Sequence, residues 1–254
     1  FIRREIVALE SLGVPILRYS VRVSGEDAVD PADIAEREKT KAILSVGKVS
    51  LLLALVVTLF SRPIRFFRAL RTTWTFGRRS DRGVLRHLIY LAEAIILQRW
   101  LAKEGVTHLH VHFATNPATV ALLCQKLGGP TYSITIHGPE EWDRPEALSL
   151  QTKYENAAFV VAVTDFGRCQ VYRWTKKEYW PKVHVVHCGV DEGFLSEKPT
   201  PVPETNQLVL VAGLVEQKGH LLLLPALQKV MQKGVSFRMM FVGDGHLRKT
   251  LENE

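Results

Sequence analysis

Apolar and polar positions recur along this chain with two different periods, and the change from one to the other divides it. Phe1 to Leu12 has the three-and-four spacing of an amphipathic helix, and Val14 to Val23 reads as a short strand. Glu26 to Asp33 is a polar connection. A long helical region is predicted from about Ile34 to Lys103, broken near Pro63 and again around Gly77 to Gly83. From Val106 onward short β-type runs take over: Val106 to Phe113, Thr131 to Ile136, Phe159 to Val163 and Val183 to His187. Helical stretches lie between them, Asn116 to Leu127, stopped by Gly128-Gly129-Pro130, and Asp165 to Trp174. Strands that alternate with helices predict an α/β domain on a parallel sheet.

The pattern then lapses. Leu195 to Asn206 carries Pro199, Pro201 and Pro203 and no apolar period, which reads as a linker. The alternation restarts with a strand at Leu208 to Ala212, a helix at Gly219 to Lys233 and a strand at Phe237 to Val242. Gly243-Asp244-Gly245 is a turn, and a further helix begins at His246. This is a βαβ unit. The expected organisation is a Rossmann-like domain over residues 1–194, a linker over 195–206, and the first part of a second Rossmann-like domain over 207–254. The chain opens at Phe1 in a helical pattern and stops at Glu254 just after another begins, so both ends read as cut.

Composition narrows the class of partner. The apolar fraction of 46% and charged fraction of 23% are those of an ordinary globular protein. A formal net charge of +7 suits an anionic partner such as nucleotide phosphates, nucleic acid or a lipid surface, or serves solubility alone. The three cysteines, Cys124, Cys169 and Cys188, form no Cys-x-x-Cys pair and are odd in number, which points to a reducing cytoplasm and no disulfide framework. Val49 to Phe60 is almost wholly apolar but far shorter than the ~20 residues that cross a bilayer, so a buried or interfacial helix is expected. Arg62, Arg65, Arg68 and Arg71 follow at three-residue spacing, along one helix flank, with Ile64, Phe66, Phe67 and Leu70 mostly on others. Arg78, Arg79, Arg82 and Arg86 continue the basic run against Asp81 alone. This Arg62–Arg86 region is either a solvated basic face or a surface that docks on anionic lipid. No nucleic-acid motif is recognisable, so no nucleic-acid partner is expected.

Candidate chemistry gathers at strand ends, where ligands of open α/β sheets bind. After the strand ending at Ala212, the run Gly213-Leu214-Val215-Glu216-Gln217-Lys218-Gly219 brings a cation to the start of a helix, a place suited to a diphosphate. Alone, Lys218 would equally be a surface lysine. Thr131 to Ile136 delivers His137 to a second strand end, and Gly138 lets other groups approach closely. His108-x-His110-x-His112 puts three imidazoles on one strand face, a pattern reminiscent of a metal site, but same-face neighbours on a strand splay apart, which favours structural histidines. In Val183 to Asp191, Gly189 suits a tight turn and Asp191 can cap backbone donors. Phe241-Val242-Gly243-Asp244-Gly245 is a strand followed by a glycine turn, and Thr164-Asp165 can cap a helix. No Ser-His-Asp or Cys-His order and no Gly-x-x-x-x-Gly-Lys loop suggests a hydrolase or a phosphate-loop enzyme.

These motifs, in this order, resemble family 4 glycosyltransferases of the GT-B fold, and are most similar to bacterial enzymes that build colanic-acid-like exopolysaccharide. The family's donor-binding turn usually reads Gly-Arg-Leu, a short acidic stretch and Lys-Gly, which Ala212 to Gly219 resembles. Phe1-Ile2-Arg3-Arg4-Glu5-Ile6 with Leu9, Leu12 and Gly13 resembles the start of the family just after its first loop, so the likeness covers nearly the whole chain. The resemblance implies transfer of a sugar from a nucleotide diphosphate donor to a lipid-linked glycan with retention of configuration, by front-face attack in which the leaving diphosphate helps deprotonate the acceptor hydroxyl. It implies Lys218 and His137 as the catalytic pair, facing each other across an interdomain cleft. It implies Gly138, Gly213, Lys218, Gly219, Gly243 and Gly245 around the substrate. It implies no metal, no cofactor besides the donor, and a cytoplasmic site of action, peripheral to the inner face of the membrane. The family's Glu-x7-Glu region would lie beyond Glu254, so little transfer is expected from residues 1–254 alone. The chain departs from the pattern where the usual arginine is Gly213 and the preceding glycine is Ala212. That loses a forked phosphate contact and keeps an alternative open, a non-catalytic sugar-nucleotide or glycan-binding module.

Overall fold

The computed structural model describes residues 2–22, 30–190, 192–196, 198–201 and 204–253. The chain divides into two compact units, Phe1–Asp191 and Glu192–Glu254. In the first, α1 (Ile2–Ser11) and β1 (Arg18–Ser20) precede α2 (Pro31–Lys39), which starts with proline at its first turn and Asp30 accepting from the Ala32 N–H. Then come β2 (Thr40–Ala42), α3 (Lys48–Ser61), α4 (Pro63–Arg79) and α5 (Gly83–Lys103). The alternating part contains β3 (His108–His112), α6 (Asn116–Lys126), β4 (Thr131–Ile136), α7 (Leu150–Asn156), β5 (Val160–Ala162), α8 (Asp165–Arg173) and β6 (Val183–Val185).

The four strands β3, β4, β5 and β6 are neighbours in chain order, and every pair is parallel. This is the α/β arrangement with a parallel sheet that the alternation predicts. Parallel sheets need both faces covered, and β4 shows why the pattern of its residues is so apolar: all but Thr131 are buried. One cluster joins Leu122 of α6, Tyr132, Ile134 and Ile136 of β4, Leu150 and Tyr154 of α7, and Val160 of β5. A second is almost purely helical, with Phe66 and Ala69 of α4, Leu91 and Ile95 of α5, and Leu123 of α6. A fully buried Leu or Ile in either contributes roughly 1.5–3 kcal/mol.

Three expectations change. Thr40–Ala42 lies inside the stretch read as helix, yet it leaves α2 in extended geometry and pairs in parallel with Arg18–Ser20. A partner strand outweighs weak helix propensity here. Second, of the buried and interfacial placements expected for the apolar run only the buried one falls away: α3 lies at the surface, with Ala54 and Thr58 buried while Val49, Leu53, Val56 and Phe60 are exposed. It stops at Arg62 and Pro63 opens α4, with the axis turning by 119°. Third, the α4 apolar residues split between faces. Phe66 and Leu70 turn inward, but Ile64 and Phe67 stand exposed among the arginines. Among the described residues no single helix is long and apolar enough to cross a membrane.

The second unit contains α9 (Glu192–Ser196), β7 (Gln207–Val211), α10 (His220–Gln232), β8 (Arg238–Val242) and α11 (Arg248–Asn253). The expected linker thus opens with the end of a short helix. Its described remainder, residues 198–201 and 204–206, is neither helix nor strand. Strands β7 and β8 pair in parallel from Gln207↔Arg238 to Val211↔Val242, so β7-α10-β8 is the predicted βαβ unit.

Candidate functional site

The first unit concentrates its polar chemistry along β3 and the C-terminal end of β4. The parallel register sets His108 opposite Thr131, His110 opposite Ser133 and His112 opposite Thr135. Period two on both strands then lays imidazoles against hydroxyls. His108 Nε2 and His110 Nδ1 each lie 2.7 Å from Ser133 Oγ, and His110 Nε2 lies 2.9 Å from Thr135 Oγ1. The ladder ends at His112, whose Nδ1 is 3.0 Å from His137 Nε2. Burial, helped by neighbouring imidazoles, pushes His110 down to about 4 and His112 to about 3, and burial also lowers His137. These rings are therefore neutral near pH 7, and they act as hydrogen-bonding groups.

The same ladder bears on metal binding. Glu5, His110 and His112 bring one ligand-type atom each to within 4.8 Å of one another. His110 Nε2 already bonds Thr135 Oγ1. His110 is held by the Ser133 and Thr135 hydroxyls, His112 Nδ1 faces His137 Nε2, and the Glu5 carboxylate lies 3.8 and 3.9 Å from the Nε2 atoms of His110 and His112.

Two buried charges that the sequence analysis passed over hold the end of this sheet. The Glu141 carboxylate, almost fully buried, accepts from the Ala114 N–H and, at 2.9 Å, from the His137 N–H. Lys153, also buried, donates to the carbonyls of Ala114 and Thr115 at 2.7 and 2.8 Å. Burial pulls the Lys153 ammonium down to about 7, and the Glu141 charge opposes that fall. Together they clamp the chain leaving β3 to the chain leaving β4. Between these anchors Phe113 adopts a left-handed φ of 72° and lays its ring 4.8 Å from His137. Such a conformation in a non-glycine residue persists only where surroundings enforce it. A signal for Lys153 was present: it falls three residues after Leu150 and beside Tyr154, on the inward face of α7. Nothing local marks Glu141 as buried, since its second partner, the Ala114 N–H, comes from the end of another strand. Gly138 is extended, φ −135° and ψ 158°, a geometry open to any residue, and it caps the turn Pro139–Glu141.

The second unit offers a different strand end. After β7, Ala212 to Val215 lead into a 3-10 turn over Glu216–Lys218, and Gly219 takes a left-handed φ of 72° as the N-cap of α10. Lys218 thus immediately precedes the helix, as the reading of a helix from Gly219 has it, and sits beside its N-terminus. It is exposed and has no ion pair among the described residues. Gly219 carries no side chain to cap the helix, so an anion placed there would meet both the ammonium and the positive dipole end. Gly213 stands in open space: a Cβ there would meet only the Asp244 carbonyl oxygen, at 3.9 Å.

Gly243 and Gly245 serve packing first. A Cβ on Gly243 would lie 2.0 Å from the Ala212 oxygen, and one on Gly245 2.4 Å from the Leu214 oxygen. Their absence of side chain lets this turn bond the other, Leu214 N–H to Asp244 O at 2.9 Å and Leu247 N–H to Leu214 O at 3.1 Å. His246 Nε2 closes on the Glu216 carboxylate at 2.9 Å. Of the remaining expectations, Thr164 caps α8 by accepting from the Gly167 N–H. Gly189 has open space and no left-handed φ, so its turn does not require glycine. Asp191 lies outside the described residues.

The model of the family described as Glycosyltransferase Family 4 matches residues 52–194. No curated protein matches the chain. Among solved structures, "Crystal Structure of TarM" is similar at 11% identity and a TM-score of 0.47, over 63% of this chain and 33% of that one. The chain therefore spans about a third of the length of that structure.

Proposed function

The chain belongs to Glycosyltransferase Family 4, and from that premise we propose that it takes part in moving a sugar from a nucleotide diphosphate donor to a lipid-linked glycan acceptor, with retention of configuration, in the building of exopolysaccharide or cell-surface polysaccharide. The observation that carries this reading is Lys218: an exposed ammonium, with no ion pair among the described residues, next to the N-terminus of α10 at the C-terminal end of β7. A diphosphate placed there is stabilised as it leaves and gathers negative charge. The C–O bond to the diphosphate breaks, the acceptor oxygen bonds the anomeric carbon on the same face, and the acceptor proton passes to the departing phosphate oxygen. His137, neutral and held by its neighbours, would position the sugar; Gly213 and Gly219 would let phosphate oxygens approach the backbone. No metal is needed in this scheme, and the reaction would take place on the cytoplasmic side.

Calorimetry with uridine, guanosine and adenosine diphosphate sugars tests it. Binding of one of them that falls about tenfold, ~1.4 kcal/mol, in Lys218→Ala is the expected result. Equal binding by wild type and variant would remove Lys218 from the donor site. A second reading, a sugar-nucleotide or glycan-binding module without turnover, draws on Gly213, where a forked phosphate contact is missing. Donor binding without transfer by a form that extends past Glu254, in an assay that includes acceptor, would favour it.

A further inference from the structure

We propose that α3 and α4 form a docking surface for an anionic phospholipid bilayer, with α3 lying in the plane of the interface. This goes beyond the transfer reading and does not rest on it. The outward face of α3 has Val49, Leu53, Val56 and Phe60 in one stripe, with Val49 82% and Phe60 79% exposed and no charge among them. An uninterrupted aliphatic and aromatic stripe on a surface helix marks a face that is covered by something apolar. Helix α3 has 14 residues, about 21 Å at 1.5 Å per residue, against a hydrocarbon layer of ~30 Å, so it can lie within one leaflet and not cross it.

The identity of the cover comes from α4. Beyond the 119° bend its outward face carries Ile64, Phe67 and Trp74, all more than half exposed, alternating with Arg68, Arg71 and Arg78. These arginines and Arg79 have no ion pair among the described residues. Asp81, the one acid in the run, pairs with Arg144. Arg62 and Arg65, by contrast, turn back against Leu127 and Gly128. A protein partner or a second copy would have to bring its own acids to this face. A bilayer supplies acyl chains for the α3 stripe and phosphates for the arginines at one boundary, where aromatic rings also settle. Leu85, Leu88 and Ile89 of α5 extend the apolar surface, lining with Leu51 and Leu55 of α3 a groove of about 220 Å³.

The test is flotation of the 254-residue chain with vesicles of phosphatidylglycerol and phosphatidylcholine in equal parts, and with phosphatidylcholine alone. Binding is expected only to the anionic vesicles. Replacing Arg68, Arg71, Arg78 and Arg79 by Ala should weaken it roughly fivefold per residue, on the order of several hundredfold together, and high salt should mimic this loss. Val56→Ser with Phe60→Ser should weaken binding at every salt concentration. All six side chains are exposed, so circular dichroism melts should match wild type. Equal binding to neutral vesicles, or binding that survives both sets of changes, overturns the proposal. So does a concentration-dependent dimer that Phe60→Ser abolishes in a chain that binds no vesicle. Neither outcome touches Lys218 or donor binding.

Discussion

The strand ends of the two units obey the same βαβ grammar and are built in opposite ways. At the end of β3 and β4 the polar groups satisfy one another: Glu141 and Lys153 are buried, each with two backbone partners, and the histidines run as a closed ladder against Ser133 and Thr135. At the end of β7 the corresponding groups look outward, with Lys218 exposed and Gly213 in open space. The surroundings follow suit. Strand β4 is buried on both faces, whereas β7 and β8 are largely exposed along their lengths. A polar group wired into a core contributes to folding, and one left at a surface is available to a ligand. Substitutions at the two ends should therefore separate stability from binding.

The largest effect is expected at Lys153. Lys153→Met keeps the length of the side chain but leaves two buried carbonyls without their donor and removes a positive charge beside Glu141, at about 3 kcal/mol or more of stability. Urea unfolding measures it; a loss under 1 kcal/mol would mean the clamp is slack. Next is pH. His110 and His112 have folded pKa values below the ordinary ~6.5, so the unfolded chain binds more protons as pH falls. Stability is full above about 6.5 and is lost as pH drops toward 4 and 3, by roughly 2 kcal/mol for each ring between pH 7 and 5. His110→Asn should flatten that slope; an unchanged slope would assign acid sensitivity elsewhere.

In the second unit the sign of the comparison reverses. Lys218→Ala should leave the unfolding midpoint within about 0.5 kcal/mol of wild type while donor affinity drops about tenfold. Gly213→Arg has room and no left-handed backbone to strain, so it should fold normally and tighten diphosphate binding by about 1 kcal/mol through the restored fork. Weaker binding would show that the phosphates lie elsewhere. The smallest effect is at His220, fully buried against Phe241 with both ring nitrogens unpartnered among the described residues. His220→Leu should be neutral or stabilising by up to about 1 kcal/mol, because no hydrogen bond is lost with the ring.

Much of this molecule is legible in its sequence, because the evidence is local. Period two at His108, His110 and His112 assigns one strand face, Pro63 sets the break between α3 and α4, and the restart after Asn206 announces the second βαβ unit. The resemblance of Ala212 to Gly219 to a donor-binding turn needs no coordinates either. What escaped reading depends on partners distant in the chain. Thr40–Ala42 is a strand only because Arg18–Ser20 lies beside it. Glu141 is a clamp only because β3 ends next to β4, and α3 is a surface helix only because α5 meets the side of it that carries Leu51 and Leu55. Periodicity states which residues share a face, but the identity of the neighbour across that face is settled by packing, where side chains far apart in the sequence compete for the same space and the same hydrogen bonds.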